Sequence, residues 1–406
     1  MDHFSIHSRT FLGMLDSLEA HWHNDTSLPA RIERLIKSDK RLGSRDRKLY
    51  RELIYTTLRF LPWVEPLLNS NRELALQVIA WLSEDIPATL HFKKDATLGW
   101  PSSGDSFLAK QKVICEKLNL TSLPSLLPEW LKFEAPEAFE VNHYTSLNQR
   151  APLWLRLQTT DLHRVFDEFK TLGWTWKLST QLPGAIKMET YGDVSKSQAY
   201  LTGLIEIQDI GSQLILESIG ILNSEKWLDA CAGAGGKALQ LACLLGPLGK
   251  VECFDIRESA LQALNERAYR AGLSSRIKTI SKPEGTYDGV LVDAPCSGSG
   301  TWRRSPHLKW ITQPSTITQY ALKQAEILSN ASSHVKIGGR LVYATCSLCK
   351  AENEAVVDTF LVKHPDFSLA GFANSHCGVN RNVGLQFWPD LYDGDGYFVA
   401  SLLKIR

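Results

Sequence analysis

From about residue 204 to the C-terminus, short apolar runs alternate with stretches in helical register. "KWLDACA" precedes "KALQLACLLG", and "GKVECFDI" precedes "ESALQALNERAYRAG". "RIKTI" and "YDGVLVDAP" follow, then a long helical stretch around 314–335 and "GRLVYATCS". A further helix near 352–363 and a closing strand "GYFVASLLKI" complete the series. Repeated β-α units close as a mostly parallel sheet covered by helices on both faces, a doubly wound α/β domain. Such sheets take ligands beyond the carboxyl ends of their strands, so the residues that end each run are the first place to look for chemistry.

The chain is 406 residues long, enough for two or three domains. Residues 1–95 read as an all-α domain. "SRDRKLYRELIYTTLRFL" spaces Leu49, Leu53, Ile54, Leu58 and Leu61 at helical intervals with Ser44 as its N-cap, and "NRELALQVIAWLSE" is a second helix. Residues 96–142 form a linker, rich in Gly, Pro and Ser in "DATLGWPSSGDS", and a helical connector punctuated by Pro124 and Pro128. Residues 143–203 form a small α+β subdomain, RRM-like in pattern, from "APLWLRLQT", "DLHRVFDEFKTLG" and "WTWKL". The doubly wound domain then runs over 204–406.

No apolar run reaches the ~20 residues that span a bilayer, and charges at Asp2, His3, Arg9, Asp16 and Glu19 interrupt the N-terminal stretch. A cytoplasmic chain without membrane partners, and a monomer, are therefore expected. Eight cysteines in so long a chain are not a disulfide framework. The net charge of +1 points to no acidic partner, but its distribution is uneven. Between Arg31 and Arg51 nine Lys/Arg, among them Arg41, Arg45 and Arg47, face three acids, a local excess of six. Such a run is either a solvated helix face or a phosphate-contacting patch, and its own composition leaves both open.

The turn after the first strand, "LDACAGAGGKALQLA", admits three readings. A P-loop needs Gly at 231 and Ser or Thr at 238, where this chain has Cys231 and Ala238. A dinucleotide fingerprint needs a third glycine that Ala238 does not supply. S-adenosylmethionine, which has no pyrophosphate, needs glycines for close backbone approach and an acid at the end of the next strand for its ribose. Asp255 ends "KVECFDI" nineteen residues after Gly236, in that place. The candidate cofactor set is Asp229, Cys231, Ala232, Gly233, Ala234, Gly235, Gly236, Lys237, Asp255 and Asp293, with Asp229 helping to hold the sulfonium end.

Two strands end in a loop that carries a thiol, "DAPCSGSG" with Cys296 and "YATCSLC" with Cys346. In a doubly wound methyltransferase sheet these strands are neighbours, so both sulfurs emerge side by side. Carbon 5 of cytosine is a poor nucleophile until a thiolate adds to carbon 6, and a second group must then assist release, which is covalent catalysis. Cys115, Cys243, Cys253 and Cys377 read as small buried hydrophobes. Cys346 and Cys349 form a C-x-x-C with no second pair at zinc spacing, so no metal is expected.

"DACAGAGGK", "DAPCSGSGTWRRSPHLKW", "YATCSLCKAENEAVV" and "EIQDIGSQL" together resemble the motifs of the RsmB/Sun/Nop-type RNA 5-methylcytosine methyltransferases over roughly residues 125–406. The resemblance implies a Rossmann-like class I methyltransferase fold and S-adenosylmethionine as cofactor. It makes Cys346 the nucleophile, Cys296 the thiol that assists release, and Asp293 the acid at the cytosine edge. The N-terminal helical part is similar to the NusB-like RNA-binding domain that some members carry. Two departures stand out: Ala234 replaces a frequent proline, and the acid expected after the third strand is replaced by Ser281 and Lys282, with Glu284 the nearest acid. RNA, ribosomal rather than transfer, is the expected partner. Trp302, Arg303, Arg304, His307, Lys309 and Trp310 mix aromatics and cations as stacking and phosphate contact require. Arg303, Arg304 and Lys309 therefore join Arg41, Arg45 and Arg47 as RNA-contact candidates. A chain that keeps this fold as an RNA-binding or assembly protein without turnover is the alternative.

Overall fold

The computed structural model describes residues 3–102, 106–190, 192–221, 225–375 and 378–406. The chain forms two compact units: residues 1–150 with 302–312, and 151–301 with 313–406.

The first unit is helical. Helices His3–Leu18, Leu28–Ser38, Ser44–Arg59, Leu61–Ser70 and Arg72–Leu82 surround a core that includes Phe11, Trp22, Leu53, Trp63 and Trp81. The basic helix starts one residue differently from expectation. Ser44 is its first helical residue and Gly43 its cap, because the Gly43 N–H donates to Asp46 Oδ2 at 3.0 Å. The boundary expected at 95 is displaced: Trp100, Phe107, Ile114 and Leu126 pack into the same core, so the connector belongs to this unit.

The second unit holds two sheets. The smaller is antiparallel, with β1 (Leu153–Leu157), β2 (Thr175–Leu178), β3 (Ala185–Thr190) and β4 (Ile205–Ile207) in the order β2-β3-β1-β4. Helix Leu162–Thr171 buries Val165 and Phe169 against Leu155, Ile186 and Met188. Its fourth strand lies past residue 203, where the larger domain was expected to begin.

The larger sheet contains β5 (Lys226–Asp229), β6 (Lys250–Cys253), β7 (Ile277–Thr279), β8 (Tyr287–Asp293), β9 (Val335–Thr345), β10 (Phe367–Leu369), β11 (Val379–Arg381), β12 (Gly384–Phe387) and β13 (Tyr397–Lys404). Their order is β11-β12-β13-β9-β8-β5-β6-β7, with β10 paired to β13. Pairing is parallel from β7 through β6, β5 and β8 to β9, and antiparallel from β9 outward. β8 is buried over Val290–Val292, as the near-continuous apolar run of a strand covered on both faces requires. The chain leaves β5 in one direction toward β6 and β7, then returns to β8 on the other side. That reversal places a crevice beside the carboxyl ends of β5 and β8, between Asp229 and Asp293.

The two sheets are tied through buried polar groups. Glu206 of β4, 1% exposed, pairs with Arg267 at 2.8 Å and with Arg270, both from helix Glu258–Arg270. A buried carboxylate needs such partners to stay charged.

Candidate active site

The turn Cys231–Gly235 links β5 to helix Gly236–Leu244 and is built for close approach. Gly233 and Gly235 take φ of +52° and +87°. A Cβ at Gly235 would stand 2.7 Å from Leu264 Cγ and 2.9 Å from Leu239 Cδ1, so only glycine fits. Asp255, two residues past β6, accepts the Gly233 N–H at 2.9 Å and a bidentate contact from Arg257. Arg267 reaches the same turn, donating to the Ala234 carbonyl at 2.7 Å.

Three carboxylates surround this turn. Lys237, almost fully buried, pairs with Asp293 at 2.8 Å, and Arg257 pairs with Asp255. Asp229 is buried at the end of β5, where the Cys231 N–H at 3.3 Å is the contact that steadies it. Burial, reinforced by the negative charge of Asp293, pushes its carboxyl up to about 7. The crevice thus has an excess of negative charge and glycines where a ligand would pass. A cationic sulfonium ligand fits that donor set, whereas a pyrophosphate does not. No acid stands directly after β7: Ser281 and Lys282 occupy that place, and Glu284, the nearest acid, is exposed with them.

Cys296 and Cys346 meet at the neighbouring strand ends. Asp293 of β8 lies opposite Ala344 of β9, and the loops beyond bring the two sulfurs to 3.3 Å. Both thiols are partly exposed. The contact with Cys346 comes first, and burial second, in pushing the Cys296 thiol well above its ordinary value. Cys296 therefore keeps its proton near neutral pH. Burial likewise raises Cys231, so that residue serves the turn through its backbone.

The remaining cysteines divide by position. Cys253 and Cys349 are buried, Cys115 and Cys243 partly so, and Cys377 lies outside the described residues.

The RNA-contact candidates separate sharply. Arg41 and Arg45 are exposed on the first unit and Arg47 is half-buried; Arg41 also holds Asp39 at 2.8 Å. Arg304 is exposed too. Arg303 and Lys309 contradict expectation, for each is only 1% exposed. Arg303 Nη2 donates to the Arg150 carbonyl at 3.2 Å. Lys309 Nζ donates to the Arg59 carbonyl at 3.1 Å and to Asn148 Oδ1 at 2.8 Å. These cations satisfy buried carbonyls of the helical unit and have no surface with which to touch a phosphate. Trp302 and His307 are buried beside them, and Trp310 donates to the Leu58 carbonyl, so the stacking expected of this segment is core packing.

Sequence reasoning missed Glu352. It is fully buried, yet its carboxylate touches both thiol loops. "KAENE" carries no local sign of burial, because the partners lie up to 55 residues away.

Comparison with known proteins agrees with this geometry. The ribosomal RNA small subunit methyltransferase B of Photorhabdus laumondii is 30% identical over 408 residues, covering 91% of this chain and 93% of the relative. The Escherichia coli O6:K15:H31 protein of the same name is 31% identical, over 73% of this chain and 71% of its own. The family profile described as 16S rRNA methyltransferase RsmB/F matches residues 218–403. This chain belongs to the RsmB/F methyltransferase family. As an RsmB/F methyltransferase it takes S-adenosylmethionine as cofactor, which the glycine turn and its carboxylates fit. The RsmB/F fold recurs in the crystal structure of PH0851, with a TM-score of 0.71 at 22% identity over 98% of this chain and 99% of that one. It recurs again in NSun6 from Pyrococcus horikoshii with SFG, with a TM-score of 0.62 at 18% identity over 70% and 98%. No described helix is long and apolar enough to cross a membrane.

Proposed function

We propose that this chain methylates carbon 5 of a cytosine in ribosomal RNA through a covalent adduct with Cys346. The observation that carries the reading is the 3.3 Å approach of two thiols on adjacent strand ends beside Asp293. A binding protein has no use for such a pair.

S-adenosylmethionine, when bound, supplies an electrophilic methyl group. Asp229, the turn 231–236 and Asp255 are the residues that would hold it. Cys346 adds its thiolate sulfur to carbon 6, which moves electron density onto carbon 5; carbon 5 would then take the methyl group from the sulfonium, leaving the neutral thioether. Solvent water takes the carbon 5 proton, and the electron pair of that bond re-forms the carbon 5–carbon 6 double bond and expels the Cys346 sulfur as a thiolate. Cys296, 3.3 Å from that sulfur, hands its own proton to the departing Cys346 thiolate. Asp293, fixed by Lys237, meets the polar edge of the base. The base must be unpaired or flipped to reach these groups.

The helical unit, with Arg41, Arg45 and Arg47 on a surface of excess positive charge, grips the RNA backbone in the manner of a NusB-like domain, and Arg304 adds a further contact.

Ser281 and Lys282, in place of an acid directly after β7, favour a second reading, an RNA-binding protein that has lost turnover. One experiment separates them. Small-subunit RNA from cells lacking this protein is incubated with the chain and methyl-labelled S-adenosylmethionine, then digested to nucleosides. Label in 5-methylcytidine supports the enzyme. Retained RNA binding with no label transferred supports the alternative.

A further inference from the structure

Glu352 is a buried carboxylate that the proposed chemistry does not use. Oε1 accepts the Ser297 N–H at 2.8 Å and Gln324 Nε2 at 3.0 Å. Oε2 accepts the hydroxyls of Ser297 and Ser347, both at 2.5 Å. Ser297 follows Cys296 and Ser347 follows Cys346, so one side chain grips the residue beside each thiol. The frame around it is equally fixed. Tyr343 Oη donates to the Glu352 carbonyl at 2.5 Å, while Asn353 accepts from Thr345 and donates to the Ser347 carbonyl. Gln324 also donates to the Pro295 carbonyl on the other side of Cys296. Every donor to the carboxylate is a neutral group: one backbone N–H, two hydroxyls and one amide.

We propose that Glu352 is a positioning residue for both thiols: its carboxylate, bonded to the residue that follows each one, ties the two loops together and stands beside Cys296. This rests on the reading of Cys346 as nucleophile and Cys296 as the thiol that assists release. After the Cys346 contact and burial, the charge of Glu352 is among the causes that push the Cys296 thiol up. The titratable groups around Cys296 include Cys346, Glu352, the phenols of Tyr320 and Tyr343, and, at the end of β8, Asp293 with its partner Lys237. Neither phenol carries charge near neutral pH, since burial raises both.

The test compares Glu352 with Glu352→Gln in two settings. In a Cys346→Ala background, alkylation of Cys296 by iodoacetamide is followed against pH by peptide mass spectrometry. Glu352→Gln is expected to shift the profile to lower pH, with at least a threefold faster alkylation at pH 8. In the otherwise intact chain, kcat for methyl transfer is expected to fall at least tenfold with the KM for S-adenosylmethionine unchanged. Superimposed alkylation profiles overturn the proposal even if kcat falls, because a merely structural brace gives that result. Should Glu352→Gln fail to fold, Ser297→Ala with Ser347→Ala keeps the charge and removes the hydroxyl tethers. That pair is expected to lower kcat at least tenfold, and full activity overturns the proposal. The alkylation arm needs no turnover, so it stands or falls apart from the assignment of the nucleophile.

Discussion

Asp229→Asn is expected to make the protein more stable at neutral pH while weakening its cofactor site. The Asp229 carboxyl titrates near 7 in the fold, against 3.8 when free. Below pH 3.8 both states are protonated and the aspartate costs nothing. As pH climbs from there to about 7, the unfolded chain releases its proton and the fold does not, so stability is lost across that window. The roughly three-unit difference corresponds to about 4 kcal/mol at 1.36 kcal/mol per unit. Asparagine retains an oxygen for the Cys231 N–H and carries no charge at any pH. The second unit spans some 245 residues, for which about 2–4 °C per kcal/mol gives a rise in Tm of roughly 8–16 °C at pH 8. Thermal unfolding of the ligand-free protein, followed by calorimetry at pH 4, 6 and 8, reads the effect directly. The gain should be absent at pH 4 and grow through pH 6 to pH 8. A difference between the two proteins that is the same at every pH would refute the buried, unpaired carboxylate. Calorimetric titration should show the same variant binding S-adenosylmethionine at least tenfold more weakly.

Gly235→Ala forces a side chain into a left-handed backbone and against Leu264 and Leu239, a conformational cost of about 1–2 kcal/mol before the clash is counted. Its KM for S-adenosylmethionine should rise with little change in RNA binding. Arg267→Ala removes the bond to the Ala234 carbonyl and one partner of buried Glu206, worth about 2 kcal/mol, and should loosen the cofactor turn, seen as faster amide exchange over 231–236. Arg41→Ala and Arg45→Ala should each flatten the salt dependence of RNA binding by about one unit of log–log slope. Lys309→Met should leave that slope unchanged. Burial holds the Lys309 amine well below its ordinary value, so the wild-type fold gains stability as pH rises toward 10.5, and denaturant titration of Lys309→Met should show a smaller gain.

The main strands of the larger sheet and the meeting of the two thiols were legible in the sequence wherever local spacing carries them. β5, β6, β8 and β9 are short apolar runs that end in a turn, an acid or a thiol, and the doubly wound topology then makes Cys296 and Cys346 neighbours. The edge of the sheet was less legible. β11 and β12 are three and four residues long, and their pairing is set by β13 rather than by any alternation of their own. β3 went unread for the same reason, because "AIKMET" alternates only weakly. Arg303 and Lys309 misled because a cation beside an aromatic looks the same in sequence on a surface or in a core. What decides is the set of carbonyls at Arg59 and Arg150, far away in the chain. Glu352 was invisible on the same principle, since its burial depends on hydroxyls contributed by two separate loops.

The central claim is that Cys346 makes the bond to the base and Cys296 helps to break it. Each cysteine changed to alanine, the protein is incubated with substrate RNA and S-adenosylmethionine, denatured, and run on a gel for a protein–RNA adduct. Cys296→Ala should accumulate the adduct, because attack proceeds and release stalls, and Cys346→Ala should form none. Accumulation in Cys346→Ala with none in Cys296→Ala would contradict the account and exchange the roles of the two thiols.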